Sequence, residues 1–63
     1  MIDNRKLEEI AVNAMMKYML GAPKNAEQLI ISVCAINDLA KITGKKSEQL
    51  FHSVFMQANK LLN

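Results

Sequence analysis

The sequence predicts an all-α fold, a small bundle of three helices at about 4–20, 25–43 and 47–62. Three observations carry this prediction. Apolar residues recur at helical rather than alternating spacing in each segment. The only two glycines, Gly21 and Gly44, fall where the first two segments would end. The apolar content, 51% of the residues with only two Phe and one Tyr, is aliphatic and Met-rich, which suits packing between helices. The length of 63 residues indicates a single domain, 1–63.

The first helix has a clear start, two apolar sides and a clear end. Asp3 or Asn4 can cap its first turn. The helix should run to about Leu20, because Gly21 and Pro23 follow and are typical of a helix end. One apolar side consists of Leu7, Ile10, Ala11, Ala14 and Tyr18, and the other of Val12, Met15, Met16 and Met19.

The central segment is apolar on most sides, with ten apolar residues among the fifteen of Gln28–Ile42. At 100° per residue these form one stripe of Leu29, Val33, Ile36 and Ala40 and another of Ile31, Ala35, Leu39 and Ile42. The second helix should therefore be covered from at least two directions. Its start is predicted either with Asn25 as N-cap or with Pro23 at the first helical position. Gly44 should end it in left-handed geometry.

The third helix shows the cleanest amphipathic pattern. Ser47 is the predicted N-cap. Its apolar residues form one continuous arc, which consists of Leu50, Phe51, Val54, Phe55, Ala58, Leu61 and Leu62.

The apolar sides of these helices outnumber those that three helices can bury together. Chains of this size usually need a disulfide, a metal or a partner chain. Cys34 is the only cysteine, which excludes an intrachain disulfide, and one His with one Cys cannot form a structural zinc site. We therefore expect a homo-oligomer, most simply a twofold dimer; a monomer with scattered exposed Met residues is the alternative. The predicted interface consists of Val12, Met15, Met16, Met19, Ile31, Ala35, Leu39 and Ile42.

The sequence gives little support for an enzyme, for a bound cofactor or metal, or for a membrane protein. His52 could pair with Glu48 across one helical turn, but no nucleophile is placed beside them, and Cys34 is expected in the apolar interior. No phosphate-binding glycine loop or metal-ligand cluster is present in the sequence, so neither a cofactor nor a metal is expected. No apolar run approaches the ~18 residues that span a bilayer. The polar, mixed-charge N-terminus and the lone cysteine predict a cytoplasmic protein.

Asn37–Val54 resembles the helix-turn-helix of phage-type repressors. Gly44 falls four residues after Ala40, and Leu50 falls ten residues after it, as in that motif. The resemblance covers under a third of the chain, and it departs from the motif at Lys45, Phe51 and Ser53. It implies that the helix opening at Ser47 enters the major groove of DNA. The contacting set would be Lys45, Lys46, Ser47, Gln49 and His52.

The sequence thus predicts a non-catalytic interaction or regulatory protein of the adaptor or inhibitor type, such as mobile elements also carry. Its partners would be a second copy of itself and another protein. The alternative is a small helix-turn-helix DNA-binding regulator. The net charge of +2 is too small to favour nucleic acid by itself.

Overall fold

The computed structural model describes residues 3–21 and 23–63. It has three helices, α1 (Asn4–Met19), α2 (Asn25–Thr43) and α3 (Ser47–Leu62). The two described ranges contain no strand. The predicted all-α bundle is confirmed, and each helix lies within a residue of its predicted bounds.

Short-range chemistry explains where α1 begins and ends. The Asp3 side chain accepts a hydrogen bond from the Arg5 backbone N–H at 3.3 Å and so caps the helix, as one of the two predicted candidates. At the other end Gly21 has φ 68°, a left-handed conformation that a side chain would disfavour. The helix therefore ends at Met19, with Leu20 as its C-cap.

The predicted N-caps of α2 and α3 are each wrong by one residue. Asn25 and Ser47 are the first helical residues, and the caps are Lys24 and Lys46, which make no side-chain capping hydrogen bond. Lys24 has φ 61°, so a non-glycine residue adopts left-handed geometry at the start of α2. At its end the prediction is confirmed: Gly44 has φ 74°, and its N–H donates to the Ala40 carbonyl at 2.9 Å.

Helices α1 and α2 form a hairpin. They are about 24 and 28 Å long at 1.5 Å per residue, and the longest dimension of the molecule is 31 Å, so the chain must double back between them. Midway along the hairpin the Ser32 hydroxyl donates to the Ala11 carbonyl at 2.9 Å, in a fully buried position. A small side chain that bonds to the opposite backbone allows the two helices to approach closely.

Helix α3 crosses the hairpin from α2 to α1. Its first turns, Ser47–Phe51, lie beside Val33, Ile36 and Asn37 of α2. Near its end, the Gln57 side-chain amide donates to Glu8 of α1 at 2.9 Å. A single helix that crosses two others covers only part of their length, and this geometry decides which apolar residues stay exposed.

One hydrophobic core joins all three helices. Its members come from α1 and α2, with two from α3: Leu7, Ala11, Val12, Met15, Ala35, Ile36, Leu39, Val54 and Ala58. Met16, Met19, Leu29 and Leu50 are half-buried against this core.

The buried line of α2 lies between its two predicted stripes. This line consists of the four buried residues of α2, which are Ser32, Ala35, Ile36 and Leu39. Each predicted stripe therefore contributes only its inner edge to the core. The expectation that Cys34 is an interior residue is wrong, because Cys34 is exposed on the outer side of α2. Along the described ranges, none of the helices has both the length and the apolarity needed to cross a bilayer.

Candidate interaction surface

The residues predicted to form an oligomer interface do not share one surface. Val12, Met15, Ala35 and Leu39 lie in the core of the single chain, each at most 5% exposed. Met16 and Met19 are half-buried against that core. Only Ile31 and Ile42 are exposed, and both lie on the α2 flank that faces away from the groove described below. A second chain could reach these two isoleucines without rearrangement of the fold, but not the four core side chains.

The position of α3 helps to explain why part of the predicted interface is buried. Val12 borders a cleft between α1 and α3, together with Gln57 and Leu61 of α3. Val12, which the sequence predicts to lie in an interface with a partner chain, therefore faces the third helix of the same chain.

An apolar groove remains open between α2 and α3. Its volume is about 330 Å³, and we call it the α2–α3 groove. Among the residues that the structure describes, Glu48 is the only charged one that borders this groove. The groove is formed by Val33, Ile36, Asn37, Ser47, Glu48 and Phe51.

Exposed apolar side chains extend the groove on both helices. Ile30 lies one turn before Val33 on α2 and is 62% exposed. Phe55 lies one turn after Phe51 on α3, and both rings are 40% exposed. We call Ile30, Val33, Phe51 and Phe55 the apolar patch. The four residues form an uncovered surface that includes both phenylalanines of the chain.

A second, polar recess lies between α1 and α3. The Gln57 amide donates to Glu8 Oε1 at 2.9 Å and to Ser53 Oγ at 3.3 Å across its wall. Its volume is about 310 Å³, and its lining consists of Arg5, Glu8, Glu9, Val12, Asn13, Gln57 and Leu61. The Gln57–Glu8 bond connects α3 to α1, whereas the Gln57–Ser53 bond lies within α3.

The residues of the DNA-binding alternative all lie on the surface. Lys45, Lys46, Ser47, Gln49 and His52 are exposed. Gln49 and His52, three residues apart, share one side of α3, whereas Ser47 borders the α2–α3 groove. The turn before α3 is held by Thr43, whose hydroxyl donates to the Leu39 carbonyl at 2.7 Å and accepts from the Lys45 N–H at 3.4 Å.

The three side chains considered as candidates for catalysis all lie on the surface of the molecule. His52 and Glu48 are exposed on α3, and Cys34 is exposed on α2. In the described part of the chain no three His, Cys, Asp or Glu side chains gather as metal ligands would.

Both aromatic residues of the apolar patch lie toward one edge of the arc that the sequence predicts for α3. Phe51 and Phe55 belong to the predicted apolar arc of α3, yet only Val54 and Ala58 of that helix are fully buried. The signal that could have identified them is the width of the arc. Its members spread over about 140° between Leu50 and Phe55, more than a helix that crosses its neighbours can bury.

Comparison of the chain with protein-family models, with characterised proteins and with solved structures gave no match.

Proposed function

We propose that this chain is a non-catalytic interaction or regulatory protein of the adaptor or inhibitor type, which acts in the cytoplasm as a homo-oligomer and through contacts with another protein. The apolar patch is the observation that carries this proposal. Contiguous exposed apolar surface on a small folded chain is typical of a site for another macromolecule.

The composition of the patch fits a protein partner. The centres of protein interfaces are depleted in charge and enriched in aromatic residues. Phe51 and Phe55 supply two aromatic rings, and Glu48 is the single charged residue at the edge of the groove. Aromatic residues in such positions commonly account for much of the binding energy.

Site-specific photo-crosslinking tests the proposal in the cells that make the protein. A photoreactive phenylalanine analogue replaces Phe55, a change that preserves the aromatic ring, and in a control chain it replaces Ile42. Ile42 is also exposed but lies on the other flank of α2. We expect protein adducts at position 55 that are absent at position 42. Equal labelling at both positions, or no adduct at position 55, would refute a contact function for the patch.

The DNA-binding regulator is the second candidate. It is supported by the three-residue turn 44–46 that joins α2 to α3, and by the exposed Gln49 and His52 on one side of α3. Lys45 and Lys46 would contact phosphates, and Gln49 could pair with adenine.

A gel-shift titration across salt concentrations tests this candidate. If both lysines neutralise phosphates, replacing Lys45 and Lys46 with Gln should reduce the slope of log K against log salt by about 2. Replacing Lys6 and Lys17 of α1 with Gln gives a control with the same change in net charge. Absence of binding at low salt, or equal slopes for the two double variants, would exclude this mode.

A further inference from the structure

We propose that the occupant of the apolar patch is a second copy of this chain, related by a twofold axis, with α3 of each copy seated against the α2–α3 groove of the other. This inference rests on the proposed function and names the partner of the same surface. The surface differs from the Met-rich interface that the sequence predicts, because four residues of that interface are buried in the core of the single chain: Val12, Met15, Ala35 and Leu39.

The exposed area of the chain supports a partner of this kind. The folded chain exposes 4654 Å², whereas the relation between surface and mass for monomeric proteins gives about 4100 Å² at this chain mass. The excess is about 550 Å², which approaches the ~800 Å² per chain that a standard interface buries. The chain therefore exposes more surface in total than a monomer of its mass usually does, as expected if a second copy covers part of it.

The patch is suited to pairing with itself. A twofold interface uses the same surface on both chains, so that surface must contain both a projection and a recess. Phe55 projects one turn beyond the α2–α3 groove, which is bordered by Val33 and Phe51. When two α3 helices lie antiparallel, the Phe55 ring of each copy comes over the groove of the other.

Charge also favours this surface over the alternatives. An antiparallel arrangement places Glu48, near the start of α3, opposite the end of the partner's α3, so the two Glu48 carboxylates stay apart. The recess between α1 and α3 contains Arg5, Glu8 and Glu9, which would have to be desolvated. The flank of α2 with Ile31 and Ile42 carries the exposed Asp38 between them.

Sedimentation equilibrium of the full chain over a range of concentrations tests the inference. We expect the wild type to reach twice its mass of 7.1 kDa. Phe55→Lys should weaken association at least tenfold while the helical circular dichroism stays unchanged. Ile42→Lys, a matched change on the other flank of α2, should associate like the wild type.

Ile30→Lys keeps this test decisive if Phe55→Lys fails to fold. Ile30 is more exposed than Phe55, at 62% against 40%, and should accept a lysine without loss of the fold. It lies on the α2 side of the patch and should also weaken association at least tenfold. A wild type that stays at 7.1 kDa throughout, or a dimer that both patch variants leave intact, overturns the inference.

Spin labelling locates the second copy directly. Cys34 is the only cysteine, is exposed, and follows Val33 on α2. A nitroxide on Cys34 of one population should broaden amide resonances of α3 in a second, isotope-labelled and spin-free population. Broadening confined to α1 would place the partner elsewhere and overturn the inference.

The photo-crosslinking experiment separates this inference from the proposed function. Adducts at position 55 of twice the chain mass support both. Adducts only to other proteins support the contact function and overturn the second-copy assignment. Adducts equal to the position 42 control refute the contact function itself.

Discussion

The α1–α2 hairpin and α3 differ in how much of their apolar surface they bury. Five residues of α1 and four of α2 are buried, but only Val54 and Ala58 of α3, although α3 has the most clearly amphipathic sequence of the three helices. The hairpin helices lie side by side along much of their length, whereas α3 crosses them. Amphipathicity indicates which side of a helix can be buried, and the crossing geometry decides how much of that side is covered.

The comparison has a functional meaning. The hairpin supplies most of the internal stability, and α3 combines a short buried contact with an exposed aromatic edge. Under the proposed function, the contact surface takes two aromatic rings from α3 and Ile30 and Val33 from α2, whereas nine of the eleven buried residues of the three helices belong to the hairpin. Four experiments on stability test the comparison, in order of decreasing expected effect.

The largest effect is expected in the hairpin at Ile36, which is 1% exposed. Ile36→Ala should lower the free energy of unfolding by about 2–5 kcal/mol, because it deletes buried methyl groups and leaves a cavity. A chain of this length is stable by only about 3–9 kcal/mol, so the variant should lose a large part of its stability and unfold at a much lower urea concentration. Urea unfolding followed by circular dichroism measures the loss. Ile31→Ala, the same change at an exposed site of α2, should cost about 0.5 kcal/mol; equal losses would contradict the assigned burial.

The next effect is expected where α3 meets the hairpin, at the fully buried Ala58. Ala58→Leu adds volume to a closely packed contact and should cost about 1–3 kcal/mol. Amide hydrogen exchange should show lost protection in α3 before α1 and α2. Ala26→Leu on exposed α2 surface is the control. Unchanged exchange in Ala58→Leu would mean that α3 can shift to accommodate the larger side chain.

A smaller effect is expected from the hydroxyl that joins α1 to α2. Ser32→Ala removes the bond to the Ala11 carbonyl and should cost about 1 kcal/mol. Ser53→Ala, which removes an exposed hydroxyl that accepts from Gln57 on α3, should change stability by less than about 0.5 kcal/mol. Both values come from the same urea titration. A larger loss at Ser53 would reverse the proposed ranking of hairpin and α3.

The last experiment concerns the two connections between helices, and it includes the smallest expected change, at Lys24. Lys24→Gly should stabilise the chain by about 0.5 kcal/mol, because glycine removes the steric cost of the left-handed conformation at Lys24 but loses more entropy on folding. Gly44→Ala should destabilise it by about 1 kcal/mol for the same steric reason, since an added Cβ at Gly44 meets no atom within 4 Å. Thermal unfolding should show shifts of opposite sign. Shifts of the same sign would show that backbone conformation is not what these substitutions change.

The helix bounds could be predicted from the sequence because local chemistry determines them. Gly21 and Gly44 adopt the left-handed geometry expected at helix ends, and Asp3 caps α1 as predicted. The buried sides of α2 could not be predicted in the same way. A helix that is apolar on most sides has no single preferred orientation, so the positions of α1 and α3 decide which residues are covered.

Three residues show what sequence patterns miss. Cys34 was expected inside because its neighbours are apolar, yet it lies outside the line that the hairpin buries. Ser32 starts that line, and no local pattern in the sequence indicates its burial, because a buried serine depends on a carbonyl 21 residues away. Val12 was assigned to a partner chain, and it lies in the core of its own chain because α3 crosses α1 beside it.

The short connections also have a kinetic consequence. Residues 20–24 and 44–46 are the only links that the three helices need, so most contacts join segments that follow one another along the chain. Chains dominated by such local contacts fold in microseconds to milliseconds. The apolar side chains of the core would thus be withdrawn from water soon after synthesis, while the rings of Phe51 and Phe55 would remain accessible on the finished molecule.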